Sequence, residues 1–448
     1  MRTFCLGSRP FGAMLHAVHV GPPALCALLF CVGPASSARG QGLPAADPGS
    51  IGLSKIGLAQ ILPTLQTYVD SGKLSGIVAV IARHGRVGYA LAIGSMDIEH
   101  HAAMPMNAVF RIYSMTKPII AAATLKLADD GKLRLDDPVS KFIPAFGATQ
   151  VYVGGPAGAP VLRAVGRPMT IEHLLTHTAG LSYGSLPGYG ALGPARAVDS
   201  IYGRANLLNP TRTVREFADS IAQLPLAFSP GEAWNYSMGI DVLGAVIEAA
   251  SGQTLDSYLT NAIFTPLGMH ETAFHILPTM EGRIPIAYSR AANGSLRPPA
   301  QLLSPGFLPA AKLLSGGGGL LSTPADYLRF AQMVLNGGEL DGRRILNRET
   351  VASMMRNHLS PQLTPIESPI IGHSGYGYGL GGAVLVDSSR AGLPGNAGIY
   401  RWWGIAGTFF WIDPKADLIG MVWTQFIPGR AFPLEQDFQR LVYAALRP

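Results

Sequence analysis

Two kinds of hydrophobic pattern divide this chain into β-rich ends and a helical middle. Strand-like apolar runs at 76–82 and 86–92, and again at 408–412 and 418–424, predict two hairpins. Between about 135 and 290 helical spacing dominates, and predicts helices at 171–177, 214–224, 241–250 and 255–263. We therefore predict one α/β (α+β) domain with an antiparallel sheet, built from residues 51–134 and 291–448. Residues 135–290 are predicted to form a mainly helical domain inserted into it.

The pattern changes at Ser114. Residues 110–113 read as a short strand, whereas apolar residues recur at helical spacing from Ser114 to Asp129. Ser114 is thus predicted at a helix start, with Lys117 one turn later on the same face. A desolvated lysine can deprotonate a serine hydroxyl, and a helix N-terminus suits an oxyanion. On the tetrapeptide alone, an N-cap serine and a solvated lysine are the simpler interpretation.

Two further stretches carry candidate chemistry. The segment Pro-Gly-Glu-Ala-Trp-Asn-Tyr-Ser at 230–237 is a turn that opens into a helix. Its Tyr236, placed beside a lysine, would either ionise more easily or relay a proton. The segment Arg-Trp-Trp-Gly-Ile-Ala-Gly-Thr at 401–408 leads into the last hairpin, where an edge strand can offer a backbone N–H to an oxyanion. Each stretch taken alone also reads as ordinary buried aromatic structure.

Ser-x-x-Lys at 114–117, Tyr-Ser at 236–237 and Trp-x-Gly at 402–404, in this order, resemble the penicillin-recognising serine hydrolases. Within that group the chain is most similar to class C β-lactamases and family VIII carboxylesterases. The resemblance extends to residues 169–181, 316–326 and 412–414. It implies a β-lactamase/transpeptidase-like fold, with an antiparallel sheet flanked by helices.

The resemblance also implies a role for each motif residue. Ser114 would be the acylated nucleophile, and Lys117 the base or the group that holds the base. Tyr236 would shuttle the proton. The backbone N–H groups of Ser114 and Ile405 would form the oxyanion hole.

Two positions depart from the β-lactamase pattern. Trp402 stands where those enzymes have the lysine of Lys-Thr-Gly, and Met238 stands where class C enzymes have the asparagine of Tyr-x-Asn. Both departures are typical of the esterases, and they imply an apolar or aromatic acyl pocket. We expect substrate contacts from Trp402, Trp403, Gly404, Met238 and Tyr183, with Tyr376 and Tyr378 as further candidates.

Composition excludes other classes. Of the 448 residues 48% are apolar and 14% charged, and the net charge of +6 is not clustered, so we expect no nucleic-acid partner. His173 and His177 lie four apart, but no glutamate follows His173, so the metalloprotease pattern fails. We expect no metal and no cofactor, and we interpret His177 as a structural hydrogen-bonding residue. Ser182, in Gly-Leu-Ser-Tyr-Gly, lacks the strand–turn–helix elbow that its motif needs. The oligomeric state stays open.

The N-terminus is typical of an export signal. Arg2 and Arg9 precede an apolar core at 23–32 and the small residues Ser36-Ser37-Ala38. We predict a signal peptide at 1–38 and a linker at 39–50, hence a periplasmic or secreted protein without stable membrane insertion. An uncleaved anchor and an internal start at Met14 are alternatives. All three cysteines lie in this leader, so its cleavage would exclude disulfides and a thiol nucleophile.

Together these features predict a serine hydrolase that forms an acyl-enzyme on Ser114. Its expected partner is a small-molecule ester, and the expected activity is that of a carboxylesterase on small to medium esters. A DD-peptidase or weak β-lactamase is the alternative within the enzymes. A non-catalytic penicillin- or peptidoglycan-sensing module is the alternative from another class.

Overall fold

The frame of the molecule is an eight-stranded antiparallel sheet. It is seen in a computed structural model that describes residues 42–186, 190–191, 196–299, 307 and 310–447. The predicted signal peptide at 1–38 and the first linker residues lie outside this described part of the chain.

The strands, in chain order, are β1 Gly76–Arg83, β2 Arg86–Asp97, β3 Ala102–Ala103, β4 Phe110–Arg111, β5 Gln150–Gly154, β6 Val161–Ala164, β7 Ser185–Leu186, β8 Gly190–Ala191, β9 Ser289–Arg290, β10 Leu296–Arg297, β11 Leu321–Ser322, β12 Glu339–Leu340, β13 Arg343–Arg344, β14 Tyr376–Tyr378, β15 Ala383–Leu385, β16 Tyr400–Gly404, β17 Thr408–Asp413 and β18 Leu418–Trp423. The α-helices are α1 Lys55–Leu58, α2 Ile61–Asp70, α3 Thr116–Asp129, α4 Ile171–Leu175, α5 Asp199–Arg204, α6 Val214–Ala222, α7 Gly239–Ser251, α8 Leu255–Leu259, α9 Thr265–Leu267, α10 Pro324–Leu335, α11 Arg348–Met354 and α12 Leu434–Ala444.

The two ends of the described chain meet in the middle of the sheet. Its strand order is β14-β15-β16-β17-β18-β1-β2-β3. The first strand pairs with the last one in antiparallel register, from Val78 opposite Trp423 to Arg83 opposite Leu418. The prediction of one antiparallel sheet built from both ends of the chain is therefore confirmed.

The central strands are covered on both faces. Every residue of β17 and β18 is buried, so these strands read as continuous apolar runs instead of alternating ones. On one face Trp411 packs edge-on against Phe438 of α12, with the ring centroids 5.7 Å apart. On the other face Phe410 packs against Tyr327 of α10 at 5.0 Å. Tyr327 also donates a hydrogen bond to the carbonyl of Met115, so the start of α3 lies on this second side. Helix α3 is buried along almost its whole length.

The middle segment contains the expected helices, together with the short helices α5 and α9, which were not predicted. Helices α4 and α6 end earlier than predicted, at Leu175 and Ala222. A hairpin of β5 and β6 was missed, because all four residues of β6 are exposed and give no burial pattern. Residues 39–448 form one compact unit, and the predicted boundaries at 134 and 290 stay a prediction. Among the described helices, none combines the length and apolar character that crossing a membrane requires.

Candidate active site

Ser114 sits in a short 3₁₀ helix, Tyr113–Met115, that leads directly into α3. The preceding strand β4 is fixed by pairing with β11, where Arg111 lies opposite Leu321. Tyr113 has a φ of 42°, in the left-handed region that non-glycine residues rarely adopt. Such strained backbone is concentrated at functional sites, where the surrounding structure holds it in place. The helix start was thus predicted correctly, although the α-helical turns begin only at Thr116.

Lys117 is fully buried beside Ser114. Its Nζ lies 3.1 Å from Ser114 Oγ and also donates a hydrogen bond to the carbonyl of Gly317. Burial lowers the pKa of Lys117 to about 7, although the charge of Asp241 acts in the opposite direction. A large fraction of this amine is therefore neutral near pH 7, in the state that can accept a proton.

Tyr236 approaches Ser114 from the helical segment. Its hydroxyl donates a hydrogen bond to Ser114 Oγ over 2.7 Å. Burial raises the pKa of Tyr236, so of the two roles left open by the sequence the protonated relay is favoured over the phenolate. His177 holds both flanks of the tyrosine: its carbonyl accepts from Asn235 N at 2.9 Å, and its Nδ1 accepts from Ser237 N at 3.3 Å.

Strand β16 passes unusually close to the nucleophile. A Cβ at Gly404 would lie 2.3 Å from the carbonyl oxygen of Ile112 and 2.4 Å from Thr408 Oγ1, so only glycine permits this approach. Ile405 follows directly, in the turn between β16 and β17. Within the described residues, neither Ser114 N–H nor Ile405 N–H donates a backbone hydrogen bond. The predicted oxyanion pair thus lies on two adjoining segments with both donors free.

Aromatic rings enclose the phenol. The ring of Tyr236 lies 5.2 Å from Tyr183 and 5.5 Å from Trp402, and Tyr378 packs edge-on against Trp402 at 5.3 Å. Lys117 Nζ lies 4.7 Å from the centroid of the Tyr236 ring. The structure therefore brings Tyr183, Trp402 and Tyr378 of the sequence-derived pocket residues to the Ser114 site.

Comparisons with known proteins agree with this geometry. A model of the beta-lactamase family matches residues 63–444, most of the chain. The chain belongs to the beta-lactamase family. Esterase EstB of Burkholderia gladioli is 31% identical over 424 residues, which cover 89% of this chain and 98% of EstB. The resemblance stated from the motifs is confirmed.

Solved structures extend the comparison for this beta-lactamase-family protein. EstCE1, described as a hydrolase with promiscuous acyltransferase activity, superimposes with a TM-score of 0.73 at 30% identity. The match covers 87% of this chain and 99% of EstCE1. Simvastatin synthase LovD of Aspergillus terreus also reaches 0.73, at 26% identity, over 87% of this chain and 97% of LovD.

Not every residue that was expected to bind substrate lies at the site in the structure. Trp403 stacks on Phe409 at 6.2 Å and lies under the guanidinium of Arg430, on the face of β16 opposite to Trp402. Adjacent strand residues point to opposite faces, so the two tryptophans cannot both face Tyr236. Met238 is buried just before α7, in the same apolar cluster as Tyr236 and Trp402, and its contact with substrate stays a prediction. The hydroxyl of Tyr376 accepts a hydrogen bond from Arg401 at 3.3 Å, and Arg401 lies on the same face of β16 as Trp403.

The other motif residues have structural contacts. Ser182 donates to Asp199 Oδ1 at 2.5 Å and accepts from Gly184 N, which accounts for its hydroxyl. His173 Nδ1 accepts from the backbone N–H of Thr170 in a capping box at the start of α4. Within the described ranges, no group of His, Cys, Asp and Glu has the arrangement of a metal site.

The sequence analysis missed one residue near Ser114 and Lys117, namely Asp241 in α7. It is 3% exposed, and its Oδ1 accepts from Ser315 Oγ at 2.5 Å and from Gly317 N at 2.9 Å. The available signal was an acid in the first turn of a mainly apolar helix that begins just after Tyr236.

Proposed function

We propose that this protein is a carboxylesterase that forms an acyl-enzyme on Ser114. The observation that carries the proposal is the convergence of Lys117 Nζ and Tyr236 Oη on Ser114 Oγ, at 3.1 and 2.7 Å. A serine hydroxyl needs an adjacent base and a route for its proton before it becomes a useful nucleophile. The similarity to esterase EstB, which extends over 89% of the chain, supports an ester as the substrate class.

In the acylation step, neutral Lys117 removes the proton from Ser114 Oγ, which attacks the ester carbonyl carbon. The backbone N–H groups of Ser114 and Ile405 stabilise the negative oxygen of the tetrahedral intermediate. Tyr236 then donates its phenolic proton to the leaving alkoxide and regains one from Lys117, so an alcohol leaves and the acyl group stays on Ser114.

In deacylation the proton transfers run in the reverse direction. Water takes the place of the alcohol and attacks the acyl carbon, while its proton goes to neutral Lys117, either directly or through Tyr236 as the phenol passes its own proton to Lys117. The same two N–H groups receive the second oxyanion. Collapse of this intermediate breaks the bond to Ser114 Oγ, releases the carboxylic acid and returns a proton to the serine.

The surroundings of Ser114 favour small to medium esters with apolar acyl groups. Aromatic side chains surround Tyr236, and Trp402 occupies the position where a lysine would attract a substrate carboxylate. A neutral apolar ester therefore fits this site better than a charged β-lactam.

The first test is hydrolysis of p-nitrophenyl butyrate by the Ser114→Ala variant. We expect kcat to fall by about 10⁴-fold or more, because the nucleophile acts as a unit with its base. Ser182→Ala is the matched control, since its hydroxyl only binds Asp199 and Gly184 N, and it should keep most of the activity. Loss of activity in Ser182→Ala together with an active Ser114→Ala would show that Ser114 is not the nucleophile.

The same preparation separates the alternative functions. Nitrocefin hydrolysis at a rate that matches the ester would favour a β-lactamase. Stoichiometric penicillin labelling without turnover of either substrate would favour a sensing module.

We also propose that the chain is exported, as the charge, apolar core and small residues of its first 38 positions suggest. N-terminal sequencing of the protein from a periplasmic or culture fraction tests this, with Arg39 as the expected first residue.

A further inference from the structure

A single residue, Gly317, connects Asp241 with Lys117. The N–H of Gly317 donates to Asp241 Oδ1 at 2.9 Å, and its carbonyl accepts from Lys117 Nζ. Ser315 Oγ donates to the same carboxylate oxygen at 2.5 Å. The loop that contacts the base is therefore fixed to α7 by one buried carboxylate.

Glycine is required at this connection. A Cβ at Gly317 would lie 2.1 Å from Asp241 Oδ2, and one at Gly316 would lie 2.7 Å from the carbonyl of Ile240. The run of four glycines at 316–319 thus lets the loop pass against the first turn of α7.

Asp241 is also an electrostatic partner of Lys117. Oδ2 of the carboxylate is buried and has no hydrogen-bond partner among the described residues. An uncompensated buried carboxylate is costly unless a cation lies nearby. Burial raises the pKa of Asp241, and the charge of Lys117 acts against this rise.

The other titratable groups around Lys117 come from different segments and are neutral near pH 7. Burial raises the pKa of Tyr236 and of Tyr183, and it lowers the pKa of His177 well below its usual value. Among the described residues, Asp241 is the group whose charge raises the pKa of Lys117.

We propose that Asp241 is a positioning residue for Lys117: it fixes the Gly317 carbonyl that receives the amine, and its carboxylate is the counter-charge of the ammonium. When Lys117 takes the proton of Ser114, only Gly317 separates the resulting ammonium from the negative charge of Asp241. The catalytic half of this proposal rests on the proposed esterase function, whereas the effect on the amine itself does not.

The test is an NMR titration of the full chain labelled with [ε-¹³C]lysine, which contains eight lysines. Lys117 is assigned by its loss in Lys117→Met. In Asp241→Asn we expect the Lys117 midpoint to fall by about one pH unit, because the amine loses a nearby opposite charge. Asp241→Ser removes the same charge and serves if the asparagine variant does not fold. Ser315→Ala is the matched control: it removes a hydrogen bond to the carboxylate but keeps the charge, so the midpoint should stay within about 0.2 units.

The pH profile of kcat/KM for p-nitrophenyl butyrate should follow the titration. The acidic limb of Asp241→Asn should move by the same amount, so that well below the wild-type midpoint it retains about tenfold more of its own plateau rate. An unchanged Lys117 midpoint in a folded Asp241 variant would overturn the proposal. Absence of ester hydrolysis by the wild-type protein would instead refute the esterase function, while the titration still decides the role of Asp241.

Discussion

At the scale of single residues, burial acts in opposite directions on the two groups that contact Ser114. It lowers the pKa of Lys117 to about 7 and raises the pKa of Tyr236, so one becomes a neutral amine and the other stays a protonated phenol. Environments that separate two pKa values in this way assign the base and the acid. In the proposed mechanism, the same desolvated pocket therefore supplies both halves of the proton transfer.

The charge of Lys117 predicts how activity depends on pH. Because the proposed mechanism requires the neutral amine, kcat/KM for a neutral ester should rise tenfold per pH unit below about 7 and level off above it. The measurement is kcat/KM for p-nitrophenyl butyrate between pH 5 and 9, with the release of p-nitrophenol followed at a wavelength where its absorbance does not depend on pH. A profile that is flat from pH 5 to 8, or that falls as pH rises through this range, would rule out Lys117 as the base.

Removing only the phenolic oxygen tests the relay. Tyr236→Phe should lower kcat by about 10²–10⁴-fold, the usual contribution of a positioned acid or base, with little change in folding. Tyr258→Phe is the control, because this buried hydroxyl has no hydrogen-bond partner among the described residues. Equal effects of the two substitutions on kcat would count against a role for Tyr236.

At the scale of elements, the part of the site carried by one helix could be predicted, and the part carried by packing could not. Ser114 and Lys117 are three residues apart on a helical pattern, so their proximity follows from the sequence. The contact between Asp241 and Gly317 joins a helix to a distant loop, and no local pattern reports it. Trp403 was predicted to contact substrate together with Trp402, although alternation along a strand already places the two side chains on opposite faces.

The close passage of β16 can be tested at Gly404. Gly404→Ala would place a methyl group 2.3 Å from the carbonyl of Ile112, which forces β16 away from the segment that carries Ser114. We expect kcat to fall by about 10²-fold or more, because one oxyanion donor is displaced. Gly154→Ala is the control, since nothing lies within 4 Å of its added Cβ. Wild-type kcat in a folded Gly404→Ala would show that this spacing does not matter.

At the scale of the whole molecule, a buried ion pair fastens the last helix to the sheet. Arg401 of β16 and Glu435 of α12 are both less than 5% exposed and are hydrogen-bonded to each other, with Arg430 nearby. The sheet itself was predictable, because its apolar strands at both ends of the chain are long and continuous. The pair was not, because an arginine and a glutamate carry no sign of being buried together.

Breaking this pair should destabilise the fold. Glu435→Ala leaves the buried guanidinium of Arg401 and the partly buried one of Arg430 without their carboxylate, and we expect the free energy of unfolding in urea to fall by about 3–5 kcal/mol. Glu339→Ala removes a half-exposed partner of Arg344 and should cost less than about 1 kcal/mol. Similar losses in the two variants would mean that the Arg401–Glu435 pair contributes no more than a surface pair.

The pairing of β1 with β18 has a consequence for biosynthesis. Residues 76–83 emerge from the ribosome more than 300 positions before the strand that covers their free edge. Until residues 418–423 arrive, the nascent chain presents an unpaired, apolar strand edge, the kind of surface on which chains aggregate. The serine and its two proton-transfer partners are already translated by residue 236, yet Gly404 and Ile405 are still to be made. A polypeptide that ends before Gly404 would therefore carry the reactive side chains without the Ile405 donor of the oxyanion hole. Its exposed strand edge would make it depend on chaperones.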